Sequence, residues 1–252
     1  MELFPLFWYN KENGEYMDKA KFKKTIDECI DTSSIKGIGT YKEKTLHKVI
    51  KNYYEKDPQK QEIKVEGYIC DIVKEDEIIE VQTRSLNKLV NKLDVLLKNH
   101  KVKVVYPISH IKYLSWLEDG EIKSTRKSPK VGTIYDIAKE LYKIKWFLNN
   151  PNLELTILLI DLVEYRNLDG YSKDKKRGST RFDRVPVELF DEIVIKDYSV
   201  FVPFDDAFTS KDYAKKIKEN ISRAQTLLTI LQYLKVVEVV GKEKRYNLYK
   251  KL

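Results

Sequence analysis

In the run Tyr68-Ile69-Cys70-Asp71-Ile72-Val73-Lys74-Glu75-Asp76-Glu77-Ile78-Ile79-Glu80-Val81-Gln82-Thr83, a lone acid and an acid-x-amide pair interrupt otherwise apolar strand sequence. A two-residue turn at Glu75 and Asp76 would set Lys74 opposite Glu77, Val73 opposite Ile78, Ile72 opposite Ile79 and Asp71 opposite Glu80. Strand alternation adds Gln82 to the same face. Two carboxylates at cross-strand distance repel unless a cation lies between them, and hard oxygen ligands of this kind suit Mg2+ or Mn2+.

The element that must bring a further acid to this pair is the preceding helix, expected over residues 41–54, with Leu46, Val49, Ile50 and Tyr53 at helical spacing. Glu43 precedes Leu46, His47 and Ile50 by three, four and seven residues, so it shares their sheet-facing side and points towards Asp71. Three carboxylates on one sheet face would bind one or two hydrated divalent ions. Two alternatives stay open: Glu80 and Gln82 line the solvated face of an amphipathic strand, and Asp71 pairs with a lysine. His47 reads as a core or orienting residue rather than a base, while Lys88 and Lys92 on the next helix are placed to add positive charge.

The chain of 252 residues is 42% hydrophobic and 34% charged, and long enough for one good-sized core plus a smaller second domain. No segment approaches the ~18 apolar residues of a membrane span, and the N-terminus lacks a signal-peptide pattern, so a soluble, cytoplasmic protein is expected. Two cysteines, Cys29 and Cys70, offer no disulfide framework, and no Cys or His pair has zinc-ligand spacing. A net charge of +8 makes a polyanion such as DNA or RNA a plausible partner.

Around the acidic pair the pattern reads as an aromatic N-terminal arm (residues 1–10), a helix (18–29), strands (62–73 and 78–83), a helix (85–99) and a short strand (102–108) bounded by Pro107. A basic irregular segment (126–130), a helix (133–149) and a buried strand (153–163) follow. Alternation of helices and strands indicates an α/β fold. Residues 170–186 read as an exposed basic loop, a solvated linker or, beside an active site, a grip on phosphates. His100 and His110 fall in expected loops, and Asp161 and Glu164 have no evident partner.

The last 45 or so residues show a short helix with a Ser or Thr cap, a turn at Glu219 and Asn220, a longer helix capped by Ser222, and a basic hairpin turning at residues 241–244. From Asp205 to Leu252 eleven Lys and Arg stand against six Asp and Glu. This order resembles a winged helix-turn-helix. The resemblance implies DNA binding, with outward Arg223, Gln225, Thr226 and Thr229 reading the major groove and Lys242, Lys244 and Arg245 on the wing meeting phosphate or the minor groove. A winged helix used for dimerisation or packing is the alternative.

At Glu43, Asp71, Glu80 and Gln82, across roughly residues 37–108, the chain also resembles the PD-(D/E)xK nuclease superfamily. There a helix supplies an acid, one strand an Asp and the partner strand an acid-x-Lys or, less often, acid-x-Gln. Gln82 stands where the lysine usually stands, and Cys70 stands where a proline often precedes the Asp. The resemblance implies a restriction-endonuclease-like mixed sheet flanked by helices, a small C-terminal winged-helix domain, Mg2+ or Mn2+ on Asp71, Glu80 and Glu43, and hydrolysis of DNA phosphodiesters, in restriction or another defence system. The domain boundaries it implies are 1–34 for an arm and helix, 35–166 for the nuclease-like core, 167–204 for a basic loop and connecting strands, and 205–252 for the winged helix. Family analogy adds a homodimer. A catalytically inactive DNA-binding regulator is the alternative function, and an assembly factor working through protein contacts the third.

Overall fold

The computed structural model describes residues 18–30, 44–168 and 180–252. Glu43, the N-terminal arm and most of the expected basic loop lie outside the described residues. The fold is α/β: a mixed seven-stranded sheet flanked by helices on both faces, with a second, three-stranded sheet near the C-terminus.

Two helices open the described chain, α1 (Lys19–Cys29) and α2 (Thr45–Tyr54). Asp18 starts α1 by accepting the Lys21 N–H at 2.7 Å. Leu46, Val49, Ile50 and Tyr53 form the buried stripe of α2, and its helical run ends where Glu55 turns extended. Strand β1 (Gln61–Val65) and β2 (Tyr68–Val73) follow. The sequence pattern merges these into one strand, but Glu66 (φ 49°) and Gly67 (φ 86°) form a left-handed two-residue turn that folds them back on each other.

Strand β3 (Glu77–Val81) pairs antiparallel with β2 in the expected register, Ile72 opposite Ile79 and Val73 opposite Ile78. A 3-10 turn at Leu86–Leu89 and helix α3 (Val90–Leu96) then carry the chain to β4 (Lys101–Glu118), which lies parallel to β3. Strand β4 does not stop at Pro107. The Val105 carbonyl accepts from Gln82 N–H at 2.9 Å, after which β3 has ended, so the proline's missing donor faces no partner strand.

The segment expected to be irregular around residue 126 is instead β5 (Glu121–Lys127), an exposed edge strand paired with the far half of β4. The expected helix over 133–149 is broken into 3-10 turns on either side of a short α4 (Ala138–Lys143). Strand β6 (Leu153–Asn167) runs parallel to β4, and β7 (Arg181–Ile195) closes the sheet antiparallel to β6. Residues 181–186, placed in the basic loop by composition, are therefore strand: they pair with β6, Asp183 opposite Tyr165 and Arg184 opposite Glu164, and Asp183 and Pro186 are buried. Between Ser109 and Lys112 β4 carries one residue more than β6, and Asp161 satisfies the bulge by accepting from Ile111 N–H at 2.9 Å. His110 is thus a strand residue whose Nδ1 lies 2.8 Å from Asp161.

The C-terminal segment comprises β8 (Phe208–Thr209), α5 (Ser210–Lys216), α6 (Ile221–Tyr233), β9 (Val237–Glu243) and β10 (Tyr246–Lys251), its sheet ordered β8-β10-β9. Thr209 and Asp212 form a capping box on α5, and Asn220, not Ser222, caps α6 by accepting the Arg223 N–H at 2.9 Å.

The sheet separates two apolar layers. On one face α1 and α2 bury Phe22, Leu46, Val49 and Ile50 against Ile72, Ile79, Val105 and Leu158. On the other, Leu89 and Leu93 pack with Val102, Val104 and Ile157 in a cluster that continues into Tyr213, Leu227 and Leu228 of the C-terminal segment. Among the described residues no helix is long and apolar enough to cross a membrane.

Candidate functional site

The paired β2 and β3 part company at Asp71. In place of a further backbone rung, Val81 N–H donates to Asp71 Oδ2 at 2.8 Å, and Asp71 N–H points to Glu80 Oε1 at 3.3 Å. The two acids thereby sit at the mouth of the opening hairpin, half-buried Asp71 beside a Glu80 that is only 3% exposed.

Helices from the two faces reach this pair. From α2, His47 Nε2 lies 3.3 Å from Asp71 Oδ2. From α3, Lys92 Nζ lies 2.5 Å from Glu80 Oε1 and donates to the Ile69 carbonyl at 2.6 Å, with its side chain only 11% exposed. The cation at this site therefore comes from the helix after β3.

Burial and the neighbouring Asp71 raise the Glu80 carboxyl to about 6, against the pull of Lys92. Burial also pushes Asp71 upward, but the His47 hydrogen bond and charge and the Val81 N–H outweigh it, and Asp71 ends below its ordinary value. At neutral pH both acids are thus ionised, Glu80 less firmly. The adjoining Cys70 thiol, pushed up to about 11 by burial, is no nucleophile.

Gln82 is half-buried, and its Oε1 faces Arg84 N–H at 3.4 Å, so its amide turns along its own strand end. Glu43 lies outside the described residues. Among the described residues no group of three or more His, Cys, Asp and Glu is placed to hold a metal ion. The donors present do fit a hard divalent cation in kind: Asp71 and Glu80 offer carboxylate oxygens, and the mutual repulsion that raises Glu80 is what a cation relieves.

In the C-terminal segment, Gln225 and Thr229 lie on the exposed face of α6, and Lys242, Lys244 and Arg245 are exposed on the β9–β10 hairpin. The Thr226 and Thr229 hydroxyls donate to the Ser222 and Gln225 carbonyls at 2.9 and 2.8 Å, within the helix. Arg223 does not point outward. Its Nη1 lies 2.7 Å from Asp136 Oδ1 and 2.6 Å from Glu219 Oε1, with the side chain 19% exposed. Lys130 also pairs with Asp136, completing a four-charge junction between α6 and the 3-10 turn before α4.

Sequence reasoning placed Arg181 and Arg184 in a basic stretch that could grip phosphates, but did not bring Arg84 and Lys44 to them. Arg84, Arg181 and Arg184 line one hollow with Lys44 at the end of β3, and Glu164, without partner in the sequence reading, holds Arg166 at 2.5 Å. No local pattern signals that Arg84 and Lys44, from other parts of the chain, share this hollow.

Residues 44–196 match a family described as Domain of unknown function (DUF8091). The chain belongs to this DUF8091 family. The matched span holds β1 to β7, hence Asp71, Glu80 and Lys92, and ends before β8. A relative described as an uncharacterized protein of Treponema pallidum (strain Nichols) is 38% identical over 143 residues, covering 55% of this chain and 57% of that protein. The DUF8091 chain thus aligns with little more than half the length of this relative. No solved structure matches it significantly.

Proposed function

We propose that this DUF8091 protein is a metal-dependent endodeoxyribonuclease of the PD-(D/E)xK kind, acting on cytoplasmic DNA in restriction or defence. The observation that carries the reading is the opening of the hairpin at Asp71 and Glu80 with Lys92 on Glu80. The chain order supports it: α2 precedes the adjoining strands β2 and β3 that carry Asp71 and Glu80, in a mixed sheet flanked by helices.

Asp71 and Glu80 would hold Mg2+ or Mn2+, with Glu43 as the expected third carboxylate. Once bound, the ion would supply Lewis acidity towards a phosphodiester and lower the pKa of an attacking water. Lys92 offsets negative charge at Glu80 and stands ready to stabilise charge developing on phosphate oxygens, the role Gln82 cannot fill because an amide carries no charge. His47 holds Asp71 ionised and oriented.

The order β8, α5, α6, β9, β10, with the last strand between the other two, supports reading the C-terminal segment as a winged helix whose α6 and hairpin grip DNA. Gln225 and Thr229 with Lys242, Lys244 and Arg245 are then the available contacts, while Arg223 anchors the helix. Double-strand cutting by one site per subunit calls for a homodimer.

The test is conversion of supercoiled plasmid in Mg2+ or Mn2+ by the wild type and by Asp71→Asn and Glu80→Gln, with folding checked by circular dichroism. Cleavage lost in both folded variants supports the site, and undiminished cleavage in both rejects it. A second reading, a DNA-binding regulator without catalysis, is favoured by the charge compensation that His47 and Lys92 already supply to the two acids. Salt-sensitive DNA binding by a wild type that cuts neither DNA nor RNA would select it.

A further inference from the structure

Directly beyond Glu80 and Gln82, the chain enters a hollow lined by Lys44, Thr83, Arg84, Arg181, Asp183 and Arg184. The Arg184 guanidinium donates to the Thr83 carbonyl at 2.6 Å, so it is held at the end of β3. A larger cleft of about 290 Å³, lined by Tyr106, Ser109, Lys112, Ser128 and Lys130 together with Asp136, which Lys130 pairs, shares Arg184 as a wall.

The charges here do not balance. Asp183 is committed to the Thr45 hydroxyl at 2.5 Å and to the Arg184 N–H at 2.8 Å. Glu164 is held by Arg166 and lies 4.0 Å from Arg181. Among the described residues the side chains of Arg84 and Arg184 form no ion pair. Burial, and then the charge of Arg181, lower Arg184 to about 10 against the pull of Glu164 and Tyr106, with Arg84 adding to the lowering. Like charges gathered in a half-buried hollow carry a repulsion that an anion removes, and planar guanidinium forks match the oxygens of phosphate in pairs.

We propose that this hollow binds a phosphate group of a nucleic-acid strand, anchoring it beside Asp71 and Glu80 so that the position of the strand relative to those acids is set. Its placement beside a cleavage site rests on the nuclease reading, but phosphate binding does not. Arg184 provides the fork, Arg84 and Arg181 the surrounding field, and the adjoining cleft a path for the rest of the strand.

The test is fluorescence anisotropy with a fluorescein-labelled DNA duplex in EDTA, in the Asp71→Asn background, across a salt series. Adding Arg184→Gln or the exposed Arg84→Gln is expected to weaken binding roughly 5- to 10-fold and to lower the slope of log K against log salt by about 1. Lys24→Gln, on an exposed face of α1, is expected to change neither. Matching thermal midpoints exclude unfolding. Affinity and slope unchanged in both arginine variants, or an equal loss in Lys24→Gln, overturn the proposal. Should wild type fail to cut while the arginine effects persist, the hollow stands and the nuclease reading falls; the reverse pattern removes the hollow alone.

Discussion

Lys92 of α3 meets Glu80 of β3 at 2.5 Å, and this contact places a cation against the more buried of the two acids. The ion pair offsets the charge that desolvation and Asp71 would otherwise drive towards neutrality.

Replacing this lysine is expected to separate its electrostatic role from folding. Lys92→Met should reduce plasmid cleavage by about 100-fold or more, the loss typical when one preorganised charge is removed from a transition state. Because Lys92 lowers the Glu80 carboxyl, the variant should also move the acid limb of the pH–rate profile to higher pH. Lys92→Arg should recover part of the rate and bring the limb back. A limb that stays put in Lys92→Met would dissociate the lysine from Glu80.

Glu80 also makes a signed prediction about pH. Its carboxyl lies at about 6 in the folded chain against an ordinary 4.5, so the folded state binds the proton more tightly than the unfolded one. The stability this contributes is fully present below 4.5 and is lost as pH rises through 6, an effect of roughly 2 kcal/mol. Denaturant titrations should therefore show wild type losing stability relative to Glu80→Gln between these values. Asp71 is shifted the other way, which is why the comparison variant is needed. Magnesium binding followed by isothermal titration should weaken about tenfold per pH unit below 6, since the proton must leave first.

Arg223 joins Asp136 and Glu219 across the junction of α6 with the central layer. Arg223→Gln leaves two half-buried carboxylates with less compensation and is expected to cost about 1–3 kcal/mol in chemical denaturation. The exposed Gln225→Ala should be neutral in stability and alter DNA sequence preference instead. Equal stability of both variants would show that the junction carries no load.

Gly132 tests packing beside the larger cleft. A Cβ there would stand 2.0 Å from the Ser109 carbonyl oxygen and 2.9 Å from its carbon, both backbone atoms of β4. Gly132→Ala is expected to destabilise by about 1–3 kcal/mol, read as a lowered thermal midpoint.

The β2–β3 hairpin was legible because its turn and its alternation agree, and a register slip of one residue would send Ile72 and Ile79 to the wrong face. The full lengths of β4 and β7 were not. Beyond Pro107 and before Pro186 these strands carry Lys, Arg and Asp at positions that a lone chain leaves to solvent, and they count as strand only because β5 and β6 lie beside them. The helix expected across 133–149 shows the converse: its periodicity is real, but the 3-10 turn over Ile134–Ile137 and a break at Ile144 divide it.

By itself, the sequence determined the acid pair on adjoining strands, the apolar stripes of α2 and α6, and the helix, turn, helix and hairpin order of the C-terminal segment without its first short strand β8, because turn chemistry and periodicity are local properties. Only the tertiary structure decided that Lys92 meets Glu80, that Arg223 is tied to Asp136, and that Arg84, Arg181 and Arg184 share one hollow. Each of those contacts joins side chains from separate elements, and their distances depend on how helices lie on the sheet and how far β7 runs beside β6. That packing comes from burial summed over the whole core, which no local pattern encodes.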